Sequence, residues 1–261
     1  MESTHRALAE RILNLSKKNQ CQQKQRDHQP STAPPPAPPG SDHPARPPRI
    51  LIALAGPPGS GKTTIAANVA LALAGLPDPP KTVVISVDGF HLPLAALRNL
   101  PNAAEALARR GAPWTFDAQA AVEMVRKLRR SRADQRSGGG NGGGEEAVLV
   151  PTFDHAVKDP VAGGLVVDPD VQVCLLEGNY LLCDEGPWAE IAGLVDERWL
   201  VRVEEGLARK RIAARHLAAG IEPTMELALA RTDYNDIPNG RYVMERSLGR
   251  QDVLIESVEN K

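Results

Sequence analysis

The run Gly56-Pro57-Pro58-Gly59-Ser60-Gly61-Lys62-Thr63 has the spacing G-x-x-x-x-G-K-[ST]. The chemistry of that pattern is the cradling of phosphate. Glycines let the backbone curl until successive N–H groups face one anion. A helix opening at Lys62 adds the positive end of its dipole. The Lys62 ammonium reaches the outer phosphates of a nucleotide, and the Thr63 hydroxyl is a ligand for Mg2+. The cradle so read comprises Gly56, Pro57, Pro58, Gly59, Ser60, Gly61, Lys62, Thr63 and Thr64, although Thr64 also reads as an ordinary helix residue. The bland alternative is a Gly/Pro turn with an incidental lysine. An apolar run before it (Ile50–Ala55) and a helical pattern after it argue against that.

Two acids follow apolar runs of their own. Asp88 comes after Thr82–Val87, in Asp88-Gly89-Phe90-His91, and Glu177 after Val171–Leu176, in Glu177-Gly178-Asn179-Tyr180-Leu181-Leu182. In open α/β sheets, ligands gather beyond the carboxyl ends of the strands. Glu177 suits a ligand of the metal or of its water. Asp88 is either a second metal ligand or the base that accepts a hydroxyl proton. Taken singly, each acid could cap a following helix. Beside a phosphate cradle the chemical reading prevails.

These groups need a scaffold that brings strand ends together. Ile50–Ala55, Thr82–Val87, Ala147–Val150 and Val171–Leu176 are continuous apolar runs, as strands covered on both faces are. Arg198–Val203 is a fifth candidate, and Asp252–Ser257 offers an edge strand. Helical patterns lie between them at about Lys62–Ala74, Asp117–Arg130 and Glu205–Ala219, and again from Gly220 to about Gly249. Alternation of this kind predicts an α/β fold: a three-layer sandwich around a mainly parallel five-stranded sheet.

Outside that body the composition shifts. Residues 1–16 read as a helix, with Leu8, Ile12 and Leu15 on one face. Residues 17–48 read as a proline-rich flexible linker, since a polar, proline-laden stretch buries little apolar surface. The main domain runs from 49 to 261. Within it, residues 137–146, the segment SGGGNGGGEE, read as a flexible surface insertion.

The chain has 261 residues, 31 Lys+Arg against 32 Asp+Glu, and a net charge of −1. That balance predicts no nucleic-acid or membrane partner. Three cysteines with no C-x-x-C spacing, no apolar run of spanning length and no leader-like start predict a reducing, cytoplasmic setting. Aromatics make up 3% of the chain, which leaves chiefly Phe90, Phe153 and Tyr180 for stacking a base.

The succession GPPGSGKTT, DGFH, PTFDH (Pro151–His155) and EGNYLL resembles the uridine kinase, phosphoribulokinase and pantothenate kinase group of P-loop kinases. It is most similar to a small-molecule kinase-like branch found in fungi and bacteria. Arg215-His216…Gly220 and Asn235-Asp236-Ile237-Pro238-Asn239 also look like that branch. The resemblance spans roughly 50–249. It implies ATP and Mg2+ as cofactors and a small-molecule hydroxyl acceptor: a nucleoside, a sugar or a pantothenate-like alcohol. It implies that Asp88 is the catalytic base, that Glu177 and Thr63 hold the metal, and that His91, Phe153, His155 and Tyr180 line the acceptor pocket. The motifs do not name the acceptor. The linker and the glycine-rich insertion depart from the group's pattern.

The resemblance also places a lid at about 205–222. Arg211 and Arg215 share a helical face there, and phosphoryl transfer calls for positive charge over the moving group. Both are read as catalytic, with Lys62 and Asp88. Arg209 and Lys210 read as a solvated face paired with Glu204 and Glu205. Arg109 or Arg110 could meet an anionic acceptor. Asn235 and Asn239 either contact adenine or shape a turn. A competing function is a nucleotide-dependent regulatory ATPase or switch with a protein partner, which needs no hydroxyl base. A third is a scaffold whose proline-rich arm binds SH3- or WW-type domains. A homodimer is compatible with the sequence, which does not specify one.

Overall fold

The computed structural model describes residues 2–27, 48–131 and 147–259. The glycine-rich insertion and the proline-rich stretch from residue 28 to residue 47 lie outside the described residues.

β1 (Ile50–Ala55) is the centre of a five-stranded sheet. β5 (Val173–Gly178) flanks it on one side and β6 (Glu197–Val203) on the other. β2 (Thr82–Ser86) and β7 (Val253–Ser257) form the edges, giving the order β2-β5-β1-β6-β7 with every pairing parallel. Every residue of β1 is buried. Its pleat divides them: Ile50, Ile52 and Leu54 enter one core, while Leu51, Ala53 and Ala55 enter the other. A strand covered on both faces therefore reads as an unbroken apolar run.

On the first face lie α1 (Glu2–Asp27), with Leu8, Ala9 and Ile12, and α2 (Lys62–Ala74), with Ile65, Val69 and Leu73. The docked N-terminal helix is longer than expected, reaching eleven residues into the segment read as linker. It is also tied by Arg11 to the buried carboxylate of Glu197, which accepts from Trp199 Nε1 at 2.8 Å. On the second face lies α5 (Ala118–Arg130), capped by Asp117, whose carboxylate accepts from Ala120 N at 2.9 Å.

The expected strand near Ala147–Val150 requires correction. β3 (Val148–Asp154) does not join the main sheet. It pairs antiparallel with β4 (Asp159–Val167) in a hairpin of its own. Leu149 and Val166 face each other across it on the solvent side, 66% and 50% exposed. An apolar run thus stood for one buried face and one exposed apolar face. β7 takes the fifth place in the main sheet. Two short helices, α3 (Leu94–Arg98) and α4 (Ala103–Ala108), bridge from the end of β2 toward α5. The C-terminal helical region divides into α7 (Glu205–Ala218), α8 (Met225–Arg231), a π-helical turn at Thr232–Asp236 and α9 (Ile237–Ser247); α6 (Ile191–Leu194) precedes β6.

Candidate active site

The site sits where β1, β5 and β2 end side by side. After β1 the chain turns through the cradle and enters α2 with the bond from Ile65 N to Gly61 O at 2.9 Å. Gly59 has φ 74°, and a Cβ there would stand 2.9 Å from the carbonyl oxygen of Ala208 in α7. Glycine is required on both counts: left-handed backbone and close approach. Lys62 is buried, with Nζ donating to Pro57 O at 3.1 Å and to Asn179 Oδ1 at 2.8 Å. Burial lowers its ammonium pKa, while Glu177 and Asp88 hold the charge in place. The Ser60 hydroxyl is buried and has no hydrogen-bond partner. A buried donor without a partner inside a ring of backbone curvature fits a phosphate oxygen.

Glu177 lies opposite Ser86 across the β2–β5 pair and is buried. Burial and the nearby Asp88 carboxylate push it above the ordinary carboxylate range. Lys62 and hydrogen bonds from Ser86 and Thr63 oppose that rise. Asp88 follows in a 3-10 turn, Val87–Phe90, whose start is capped by Ser86. Two strand-end carboxylates, a Thr63 hydroxyl and the Lys62 ammonium thus converge. Among the described residues no cluster of three or more His, Cys, Asp or Glu could form a metal cage. The donor set fits Mg2+, which takes one or two carboxylates and completes its shell with phosphates and water.

The β3–β4 hairpin stands over Asp88. A Cβ on Gly89 would lie 2.1 Å from Pro151 O, so the turn and the hairpin are in backbone contact. His91 Nδ1 donates to Asp88 O at 2.8 Å, leaving Nε2 as the acceptor nitrogen. Burial lowers the His91 pKa against the pull of Asp88, which favours the neutral ring. It lies 3.9 Å from the Phe116 ring and 5.0 Å from the Phe153 ring, centroid to centroid, and His155 lies 5.3 Å beyond Phe153. Arg110 covers Phe153 at 5.4 Å, pairs with Asp159 at 3.0 Å, and donates to Leu92 O and Lys158 O.

Lys62, Thr63, Glu177, Asp88, His91, Phe153 and His155 therefore gather at one end of the sheet, between the cradle and the hairpin. Other expected residues do not. Tyr180 is 1% exposed in an aromatic core with Phe116, Trp188 and Tyr242, and its hydroxyl donates to Gly111 O at 2.6 Å. Its aromatic ring is worth more in that core than in a wet pocket. Phe90 is likewise buried in the core. Thr64 faces solvent on α2. Arg211 is spent on structure, donating to Gly59 O at 3.2 Å, Ser257 Oγ at 2.9 Å and Val258 O at 2.8 Å, which pins α7 to the cradle and to β7. Arg215, one turn on, is exposed, and its charge acts on Lys62. The expected lid is thus anchored along its first turns, with Ala208, Ile212 and Ala213 buried.

Arg209 pairs with Asp233 at 2.6 Å rather than with Glu204 or Glu205. Glu204 instead caps α7, and Glu205 pairs with Arg241. Asn235 and Asn239 are buried and bind the Arg109 guanidinium at 3.2 and 3.4 Å, tying the π turn and α9 to the end of α4. Asn179 and Ser86 were not singled out from sequence. Asn179 stands two residues past Glu177, and Ser86 two before Asp88. Their polar types at otherwise apolar strand ends were the available signal.

No family model matches the chain. It is 37% identical over 213 residues to a Schizosaccharomyces pombe protein named as a putative uridine kinase, covering 82% of this chain and 85% of that one. It is 37% identical over 168 residues to the ATP-dependent kinase-like protein notR' of Aspergillus versicolor, covering 64% of this chain and 92% of the relative. The crystal structure of a putative fructose transport system kinase from Silicibacter superposes with a TM-score of 0.67 at 32% identity, covering 81% of this chain and 92% of that one. Phosphate cradle, paired strand-end acids and these likenesses agree, and the chain belongs to the P-loop kinases related to uridine kinase.

Proposed function

We propose that this kinase transfers the γ-phosphoryl group of ATP to a hydroxyl of a small metabolite, with Mg2+ bound by Thr63 and Glu177. The observation that carries the reading is the position of Asp88. It lies beside Glu177 and Lys62 on one side and beneath the β3–β4 hairpin on the other. A carboxylate there takes the proton of an acceptor hydroxyl. The freed oxygen forms a bond to the γ-phosphorus, the bond from that phosphorus to the β–γ bridging oxygen breaks, and ADP leaves. Mg2+ supplies neutralisation of the phosphate charge. Lys62 and Ser60 hold the phosphates, and Arg215 adds positive charge over the moving group. His91, neutral with Nε2 free to accept, orients a second acceptor hydroxyl, and Phe153 supplies an apolar wall. The names of the relatives point to two acceptor classes, a nucleoside in one and a sugar in another.

The test is ADP formation from Mg·ATP against a panel of hydroxyl compounds that includes uridine and fructose, with Asp88→Asn in parallel. Acceptor-dependent turnover that falls on the order of 10²–10⁴-fold in the variant supports the reading. Acceptor-independent turnover, equal in both proteins, replaces it with a nucleotide-driven switch.

A further inference from the structure

A lysine ammonium has three N–H donors and no acceptor. In Lys62 two of them are engaged by neutral oxygens: Pro57 O at 3.1 Å, from within the cradle, and Asn179 Oδ1 at 2.8 Å, from just beyond β5. The shorter bond thus comes from a residue 117 positions away in the chain. Because lysine only donates, that bond also fixes the Asn179 amide, with its oxygen toward the ammonium.

The backbone that carries Asn179 is held on both sides. Ahead of it, Gly178 pairs in register with Ala55, which delivers the chain to the start of the cradle. Gly178 also lies against the Asp88 turn: a Cβ there would stand 2.9 Å from Val87 Cβ. After it, Tyr180 is buried in the aromatic core, and its hydroxyl donates to Gly111 O at 2.6 Å. Asn179 is half-buried between these two buried neighbours. A side chain set on so fixed a backbone has little freedom to lose when it holds a partner.

The choice of an amide has a chemical consequence. Glu177 and Asp88 already act on the Lys62 charge. A third carboxylate, in direct contact, would pair the ammonium with a fixed protein anion and set a negative charge against the incoming phosphates. An amide oxygen gives the same direction without the charge.

We propose that Asn179 is a positioning residue for the phosphoryl donor: its amide oxygen and Pro57 O hold two N–H groups of Lys62, so that the third is aimed at the outer phosphates of the bound nucleotide with the positive charge undiminished. The inference rests on the reading of the cradle as a nucleotide site.

The test needs no acceptor. Calorimetry on the full chain measures binding of Mg·AMP-PNP to the wild type, Asn179→Ala, Asn179→Asp, Lys62→Ala and the double variant Asn179→Ala/Lys62→Ala, with melting curves to show that each is folded. Asn179→Ala is expected to weaken the analogue about tenfold in the wild type. Once Lys62 is gone, the same substitution should change affinity by no more than about twofold. Asn179→Asp keeps the shape and an acceptor oxygen, so a merely structural role would tolerate it. On the proposal it weakens the analogue more than Ala does, by about a hundredfold at low ionic strength. Wild-type affinity in Asn179→Asp, or an equal loss from Asn179→Ala with and without Lys62, overturns the inference and leaves the kinase reading intact. If Asn179→Ala fails to fold, the isosteric Asp variant decides. A wild type that does not bind Mg·AMP-PNP overturns the cradle reading and the inference together.

Discussion

The two halves of the proposed site, the phosphate cradle of the donor and the hairpin side proposed for the acceptor, differ in how they are held. The cradle grows out of β1, the central strand, paired on both sides and buried at every residue, and leads directly into α2. Its backbone approaches α7 at Gly59, and its Pro57 ring approaches α9 at Gly240, where an added Cβ would lie 3.2 Å from Pro57 Cβ. The acceptor half belongs to no large sheet. The β3–β4 hairpin has one wet apolar face and a register shift near Val150 and Thr152. It is held to the body by the Gly89–Pro151 approach and by Arg110, whose guanidinium bonds the far strand at Asp159. A fixed donor needs a rigid holder. A scaffold that changes acceptors needs a part that can be altered without disturbing the sheet.

Breaking the donor half should give the largest effect. Lys62→Ala removes the buried ammonium that faces Glu177 and Asp88. Loss of such a charge is expected to lower turnover on the order of 10²–10³-fold and to weaken Mg·ATP as well. Acceptor affinity should change little, because the hairpin is untouched. Steady-state kinetics with both substrates varied reads the difference, and an intact affinity for ATP would refute the cradle's assigned role.

The contrast also explains what the sequence could disclose. The donor half is legible because its chemistry is local: nine consecutive residues, Gly56 to Thr64, and two acids at strand ends. Doubly buried strands write their burial as apolar runs, so β1, β2 and β5 are found nearly in place. The acceptor half is set by tertiary contacts. Nothing in Ala147–Val150 distinguishes a central strand from one with a wet apolar face, and β4, with Gly163 and Gly164, carries little strand signal. Tyr180 lies three residues from Glu177, yet it turns into the core. Arg211 and Arg215 share a face, yet the first is held by Gly59, Ser257 and Val258, while the second stays exposed with its charge felt by Lys62. Spacing places side chains on a face. It does not say what that face touches.

Gly89→Ala breaks the join between the halves. The new Cβ meets Pro151 O at 2.1 Å and Pro151 C at 2.5 Å, both backbone atoms. The turn or the hairpin must move, at a cost of about 3 kcal/mol. Thermal melting should show the loss. If the protein remains folded, the acceptor KM should rise more than the ATP KM, since the hairpin shifts and the cradle does not. Equal changes in both would mean that the halves are mechanically one.

Asp236→Asn should move stability the other way. The folded pKa of Asp236, about 6, stands above the ordinary 3.8. Between those values the folded state holds more proton than the unfolded state, so this residue's contribution falls as pH rises through the window. Above about pH 6 the full penalty is present, and Asn removes it. The expected gain at neutral pH is about 2 kcal/mol, allowing for the partial exposure, or several degrees in Tm. His216 runs in the opposite sense. Its folded pKa of about 4 lies below the ordinary 6.5, so its contribution is lost as pH falls through that interval. Without the compensating Asp236, the variant should lose stability more steeply than the wild type on going from neutral pH to about pH 4.5. Melting curves across that range read both effects, and a parallel pH profile in the two proteins would show that Asp236 does not titrate there.

The smallest effect belongs to the outer face of the hairpin. Leu149 is 66% exposed and faces Val166 across the strand pair on the side away from the cleft. Leu149→Thr keeps a strand-favouring side chain and removes apolar surface that was in water already. The expected change in stability is within about 0.5 kcal/mol, and acceptor kinetics should not move. This near-silence is the sharpest statement of the difference between the halves. The same substitution at Leu51 or Leu54, which are fully buried in β1, would remove packing on one of the two cores and cost several times more. A large loss at Leu149 would show instead that the face is covered when the protein works, and the acceptor half would then be as firmly built as the donor half.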